Sequence, residues 1–425
     1  ETGLKGEVLD QIQAQLTTAQ ISKDQFEELG YLFNTRNFKK LIKRIKELLE
    51  LNPNAYGLLN MMGVAYVEQG KHQKGLESYQ RAIAINPSYN ACYNNYGLLL
   101  EKIGDIQGAI EKYEKAIETK FDYADAYNNL GLLLVKRGDL DLGINKLRKA
   151  IEYNPHLAAA HNNLGLAMID DGDYRAASES LNQAIKIRPD FFEALSNLSN
   201  VLREQGNLIE ARSVCEKALE INENLSEGHN NLGLIYRDLG DLDRALQSFK
   251  NALAINPNSA EYLNNLGVAF MKVRDIGEAI ENYRNAISIK PNFADAHNNL
   301  GNALRDLAVG DSDLLEESID CYERAISIEP DHVFAYSNLL FSLCHLVSPS
   351  DYLRRAKDFG EVVKEKAVER NVSTEIAPAD EFLRVGFVSG DFRNHPVGHF
   401  LEGFVSHIDR SSIQLFAYKT FHHED

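Results

Sequence analysis

The chain has 425 residues, 44% hydrophobic and 25% charged, with a formal net charge of −17. That mixture belongs to folded chains and not to disordered ones, and the negative charge opposes the phosphate backbone of nucleic acids. No apolar run reaches the roughly 18 residues of a spanning helix, and the first twenty residues lack a basic start followed by an apolar block. The cysteines, Cys92, Cys215, Cys321 and Cys344, form no close pair that would suggest a disulfide framework or a zinc site. These features lead us to expect a reducing, cytoplasmic setting (nucleocytoplasmic in a eukaryote), with no membrane, nucleic-acid or metal partner.

Residues 1–21 form an N-terminal flank, and a repeat begins at 22. Pro53, Pro87, Pro155, Pro189, Pro257 and Pro291 are spaced by 34 residues or multiples of it, with Phe121 and Glu223 in the two skipped slots. Gly63, Gly97, Gly131, Gly165, Gly233, Gly267 and Gly301 keep the same beat, Ser199 standing in once. Each unit then sets a bulky residue such as Tyr113 between two small ones such as Ala109 and Ala116, a pattern that lets two helix axes approach and fills the hole they leave. A second glycine series, Gly70 to Gly240, is usually followed by Asp or Asn, which reads as a left-handed helix stop and then an N-cap.

A 34-residue helix-turn-helix unit of this kind resembles the tetratricopeptide (TPR) repeat. The resemblance spans 22–369: a degenerate unit at 22–55, seven regular units to 293, a lengthened unit at 294–332 and a final helix pair. The expected fold is all-α, a right-handed superhelix. The five extra residues of the lengthened unit, near 309–313, are expected in the loop between its helices. The basic stretch 38–50, FKKLIKRIKELLE, reads as the second helix of the first unit with its lysines in water, although in isolation it would suit a membrane surface.

Such solenoids bind partners along the surface lined by their first helices. Two places before each repeat glycine, or its stand-in, the residue is Asn95, Asn129, Asn163, Asn197, Asn231, Asn265 or Asn299, with Asn338 in the last unit and Met61 the exception. Asparagine is a mediocre helix former. A carboxamide donates and accepts, so the row suits the backbone of an extended protein or peptide, one amide meeting about every third residue. The alternative is that these amides bond neighbouring repeats. The preceding register is also mostly asparagine, and a further register carries Asp125, Glu193, Glu227, Glu261 and Asp295. Neither holds the Lys or Arg needed to clamp a carboxylate tail. His161, His229 and His297 read as packing residues.

After a linker at 370–382 the pattern changes: LRVGFVS and IQLFAYKTF read as strands around an amphipathic helix, the opening of a parallel α/β sheet. The segment 383–420, with DFRNHPVGHF at its centre, resembles the start of the catalytic region of the protein O-linked N-acetylglucosamine transferases, with the SPINDLY-type O-fucosyltransferases as relatives. That resemblance implies a Rossmann-like glycosyltransferase lobe beginning at 383–425, a nucleotide sugar donor (UDP-GlcNAc), transfer to Ser or Thr of proteins, and active-site positions at His395 and, more weakly, His399. His395 would lie beyond the carboxyl end of a parallel strand, where such sheets bind ligands; alternatively it only caps a helix. The nucleotide-binding positions of that family have no counterpart before Asp425, and this chain alone is expected to be inactive. A free-standing TPR scaffold is the alternative to the transferase, and oligomers are possible.

Overall fold

The computed structural model describes residues 22–308, 311–343, 346–368, 383–389 and 413–419. Contacts divide the chain into two compact units, Glu1–Leu346 and Val347–Asp425.

The first unit is a stack of helix pairs. They are α1 (Lys23–Asn34) with α2 (Phe38–Leu51), α3 (Tyr56–Glu68) with α4 (His72–Ile85), α5 (Asn90–Lys102) with α6 (Ile106–Thr119), and α7 (Ala124–Arg137) with α8 (Leu140–Tyr153). Next come α9 (Ala158–Asp170) with α10 (Tyr174–Ile187), α11 (Phe192–Glu204) with α12 (Leu208–Ile221), and α13 (Ser226–Asp238) with α14 (Leu242–Ile255). The stack ends with α15 (Ala260–Lys272) and α16 (Ile276–Ile289), α17 (Ala294–Leu307) and α18 (Ser312–Ile328), and a last first helix, α19 (Val333–Leu343). Beyond the packing within each pair, each second helix packs on the first helix of the next unit and the first helices of successive units also touch one another, with no comparable contact between second helices among the described residues. The first helices therefore form the tighter, inner wall of the solenoid.

The small-bulky-small pattern is the reason the helices of a pair lie so close. Ala109, Tyr113 and Ala116 are all fully buried, and the Tyr113 ring reaches over Gly97 so closely that a Cβ there would lie 2.6 Å from it. Gly63, Gly165, Gly233, Gly267 and Gly301 meet Tyr79, Leu181, Phe249, Tyr283 and Tyr322 in the same way. Each glycine is thus a seat for a ring or branched chain of the next helix, and each buried aromatic contributes about 2–3 kcal/mol by leaving water. The turns obey the second glycine series: Gly70, Gly104, Gly138, Gly172, Gly206 and Gly240 all have positive φ. Asp105, Asp173, Asp241 and Asp275 then cap the following helix through their side chains, whereas Asp139 and Asn207 make no such bond.

The lengthened unit departs from expectation. Its second helix, α18, has 17 residues where its predecessor α16 has 14, so most of the insertion is absorbed as helix and not as loop. The physical reason is a cap: Asp311 accepts from the backbone N–H groups of Asp313 and Leu314 and starts the helix early.

The second unit contains α20 (Pro349–Val368), β1 (Leu383–Ser389) and β2 (Ile413–Lys419). The strands pair in parallel, from Leu383 with Ile413 to Ser389 with Lys419. The helix expected between them, and His395 and His399 with it, lie outside the described residues. Among the described residues no helix is long and apolar enough to cross a membrane.

Candidate functional site: the asparagine ladder of the inner wall

The first helices carry the asparagine pairs to one seam. The second asparagine of each pair donates its Nδ2 to the first asparagine of the preceding unit, 35 residues back. Asn95 reaches Asn60 at 3.1 Å, Asn129 reaches Asn94 at 2.9 Å, Asn163 reaches Asn128 at 2.9 Å and Asn197 reaches Asn162 at 3.0 Å. The series continues with Asn265 to Asn230 at 3.0 Å, Asn299 to Asn264 at 3.0 Å and, across the longer spacing of the lengthened unit, Asn338 to Asn298 at 2.9 Å. Where Ser196 replaces the first asparagine, Asn231 turns to its hydroxyl at 3.1 Å and its carbonyl at 3.3 Å. Within a unit Asn128 and Asn162 donate onward to Asn129 and Asn163, at 3.3 and 3.4 Å.

All eight sequence-predicted ladder residues are therefore brought together, and all eight bond a neighbouring unit. Neighbour bonding was the alternative drawn from sequence, and it is realised along the whole row. It does not exhaust the amides. All but Asn231, which donates to two atoms of Ser196, make a single donation in the tie, and a carboxamide has a second N–H and two lone pairs. Asn95, Asn197 and Asn231 are buried, whereas Asn129, Asn163, Asn265, Asn299 and Asn338 are only half-buried and touch water. The partner asparagines, Asn60, Asn94, Asn128, Asn162, Asn230, Asn264 and Asn298, are the part of the ladder that sequence reasoning left out of the site, although their shared 34-residue register was visible.

Beside the ladder runs the acidic row. Glu227 is exposed, and its pKa is raised above the ordinary carboxylate value only through partial desolvation by the protein around it, then by the nearby Glu261 and Glu193. Asp295 lies 3.2 Å from His332 Nε2. A recess of about 680 Å3 opens at the junction of two units, lined in part by Glu261, Asn264, Asn265, Lys290, Phe293 and Asp295, with the Lys290 ammonium 4.8 Å from the Phe293 ring centroid.

The recurrent histidines serve the turns. His161 Nε2 lies 3.0 Å from the Pro155 carbonyl, His229 Nε2 3.0 Å from that of Glu223, and His297 Nε2 3.0 Å from that of Pro291. A carbonyl only accepts, so each ring donates from Nε2 and fixes the approach of a first helix to the preceding turn. Among the described residues no group of three or more His, Cys, Asp or Glu is arranged to hold a metal ion.

Comparison with known proteins agrees with the repeat fold. One TPR repeat model matches residues 63–104, 102–138, 233–273 and 275–307, and four tetratricopeptide repeat models match 122–190, 193–229, 214–247 and 294–332. No curated protein matches the sequence. Among solved structures, the APC/C hetero-tetramer Cut9–Hcn1 is 16% identical over 71% of this chain and 59% of that one, with a TM-score of 0.56, a likeness of fold alone. This chain thus spans little more than half the length of that relative. YrrB, described as a TPR protein with an unusual peptide-binding site, is 26% identical over 44% of this chain and 96% of its own, with a TM-score of 0.35. TTC0263, a thermophilic TPR protein of Thermus thermophilus, is 24% identical over 43% and 99%, with a TM-score of 0.40. The matched segments run almost without a break from residue 63 to residue 332, and the chain belongs to the tetratricopeptide-repeat protein family.

Proposed function

We propose that the solenoid is a protein-interaction scaffold whose inner wall holds an extended polypeptide by its backbone. The observation that carries this reading is the ladder itself: eight amides at one register, each held in place by its neighbour and keeping hydrogen-bonding capacity beyond that tie. Preorganised amides bind at a lower entropic cost than free ones, and a grip on N–H and C=O groups tolerates many sequences. Four of the five half-buried members, Asn129, Asn163, Asn265 and Asn299, are the ones a ligand reaches, the Asn338 oxygen being faced by Arg305 at 3.5 Å. Fluorescence anisotropy with a labelled unstructured polypeptide tests the reading. Alanine at those four positions together weakens binding by about 1 kcal/mol per lost bond; undiminished affinity in the folded variant contradicts it.

A second reading adds chemistry beyond residue 382. The motif LRVGFVSGDFRNHPVGHF follows the repeats, and β1 and β2 pair in parallel as an α/β sheet requires. On this reading the repeats present protein substrates to a transferase of the O-GlcNAc type. A Ser or Thr oxygen would bond the anomeric carbon of UDP-GlcNAc, its proton passing to a base as the nucleoside diphosphate leaves. His395 is the candidate to orient or accept on the hydroxyl side, and His399 the weaker one. Expression of the full reading frame and assay of sugar transfer tests this: loss of transfer in His395→Ala with acceptor affinity intact supports it, and a frame without an α/β continuation overturns it.

A further inference from the structure

The two ends of the solenoid carry opposite charge at the same places of the repeat. Lys39, Lys40, Lys43 and Lys46 lie 14, 13, 10 and 7 residues before Pro53, and Glu316, Glu317, Asp320 and Glu323 lie 14, 13, 10 and 7 residues before Pro330. The insertion in the lengthened unit precedes these positions and so leaves them in register. Intervening units are mixed there, as with Gln73, Lys74, Glu77 and Gln80. Equal register on a second helix means an equivalent face, and that face is the outer one. All four lysines are exposed on α2, whose apolar face, Leu41, Ile42, Ile45, Leu48 and Leu49, is buried in the solenoid. A helix with its apolar face already occupied cannot insert into a lipid surface. Arg44 of the same helix is paired with Glu28 and Glu47, at 2.9 and 3.0 Å, whereas none of the four lysines has an ion-pair partner among the described residues. On α18, Glu316 and Asp320 are exposed and likewise unpaired among the described residues, while Glu317 meets Arg284 at 2.8 Å.

We propose that the lysine face of α2 docks on the acidic face of α18 of a second copy of this chain. Because one chain owns both faces at opposite ends of the same array, a two-fold axis across the solenoid brings α2 onto the partner's α18 and α18 onto the partner's α2. The contact is made twice and closes as a dimer. Charge complementarity selects the occupant: a basic face in a chain of net charge −17 is conspicuous, and its register-matched complement lies on the same molecule. Association of this kind is weak and sensitive to salt. It is independent of the groove reading above.

The test is the mass of residues 1–425 by sedimentation equilibrium. The protein is a dimer at about 0.05 M salt and a monomer at about 0.5 M. Lys39→Glu/Lys40→Glu/Lys43→Glu and Glu316→Lys/Asp320→Lys each weaken self-association roughly tenfold or more, with unchanged circular dichroism melting. Mixed in equal amounts, the two variants dimerise again, because each now carries what the other lacks at both contacts. A wild-type monomer at low salt, a dimer indifferent to either reversal, or variants that stay apart on mixing overturns the proposal. So does lysine-dependent binding of the wild-type monomer to phosphatidylserine vesicles without dimers, which assigns the face to a membrane.

Discussion

Ser199 faces Cys215 where the other regular units set a glycine against a bulky side chain. Both are fully buried, and the pair is a matched exchange: the extra hydroxymethyl group on one helix is accommodated by the small thiol on the other. The Ser199 hydroxyl returns to its own helix, donating to the Ser196 carbonyl at 2.7 Å, and the Cys215 thiol donates to the Gly228 carbonyl at 3.2 Å. Burial pushes that thiol up to about 12, so it stays protonated and unreactive. Cys215→Phe alone overpacks against Ser199 and costs about 1–3 kcal/mol. Adding Ser199→Gly recreates the Gly233–Phe249 arrangement and recovers most of that loss. Denaturant melts of the two single variants and the double one check this; additive losses would show that the positions do not compensate.

Arg274 occupies the turn position that Gly240 holds one unit earlier, and its φ is 65°, where the glycine has 81°. A side chain in the left-handed region costs about 1–2 kcal/mol, so Arg274→Gly stabilises by up to about 1 kcal/mol once glycine's greater chain entropy is counted. Gly104→Ala should destabilise by a similar amount without touching any neighbour, since nothing lies within 4 Å of its would-be Cβ. Gly97→Ala loses more, because there the Tyr113 ring must move. Thermal melts rank the three, and an Arg274→Gly variant less stable than wild type would refute the strain argument.

Much of this fold was legible because the repeat multiplies each signal. One glycine beside one tyrosine says little, whereas the same pair in step through successive units fixes helix, turn and packing partner together. The five-residue insertion was located by the proline beat, but not its absorption into α18, which depends on where Asp311 caps. The ladder residues were legible as a row, and their bonds were not. A link from Asn163 to Asn128 requires the rise and rotation between units, which no spacing along the chain reveals. Glu227 stood out as one acid in a series, and its environment depends on how the inner wall curves around it.

The ties between units carry a stability consequence that a purely ligand-facing row lacks. Asn197→Ala leaves the buried Asn162 oxygen without its donor and costs about 1–3 kcal/mol. Asn299→Ala, at a half-buried position, costs less because water replaces the lost group. Comparing their urea midpoints separates the two.

Glu227 gives the groove a pH dependence. Its folded pKa is raised, so its contribution is fully present below the unfolded value and is lost as pH rises through the folded one. Because the side chain touches solvent, the effect is small. Glu227→Gln should flatten the decline in melting temperature as pH rises above the ordinary carboxylate value and leave the variant slightly more stable at neutral pH. Parallel curves for the two proteins would show that the crowding does not act on this carboxyl.

The grip on backbone groups is tested most directly by changing the ligand and not the protein. An unstructured peptide that binds the solenoid is remade with single ester bonds in place of amides, removing one backbone N–H at a time while keeping every side chain. Backbone recognition predicts losses of about 1 kcal/mol per effective substitution, recurring at about every third residue as the ladder spacing requires. Equal affinity for every ester analogue, with losses only on changing side chains, would contradict it.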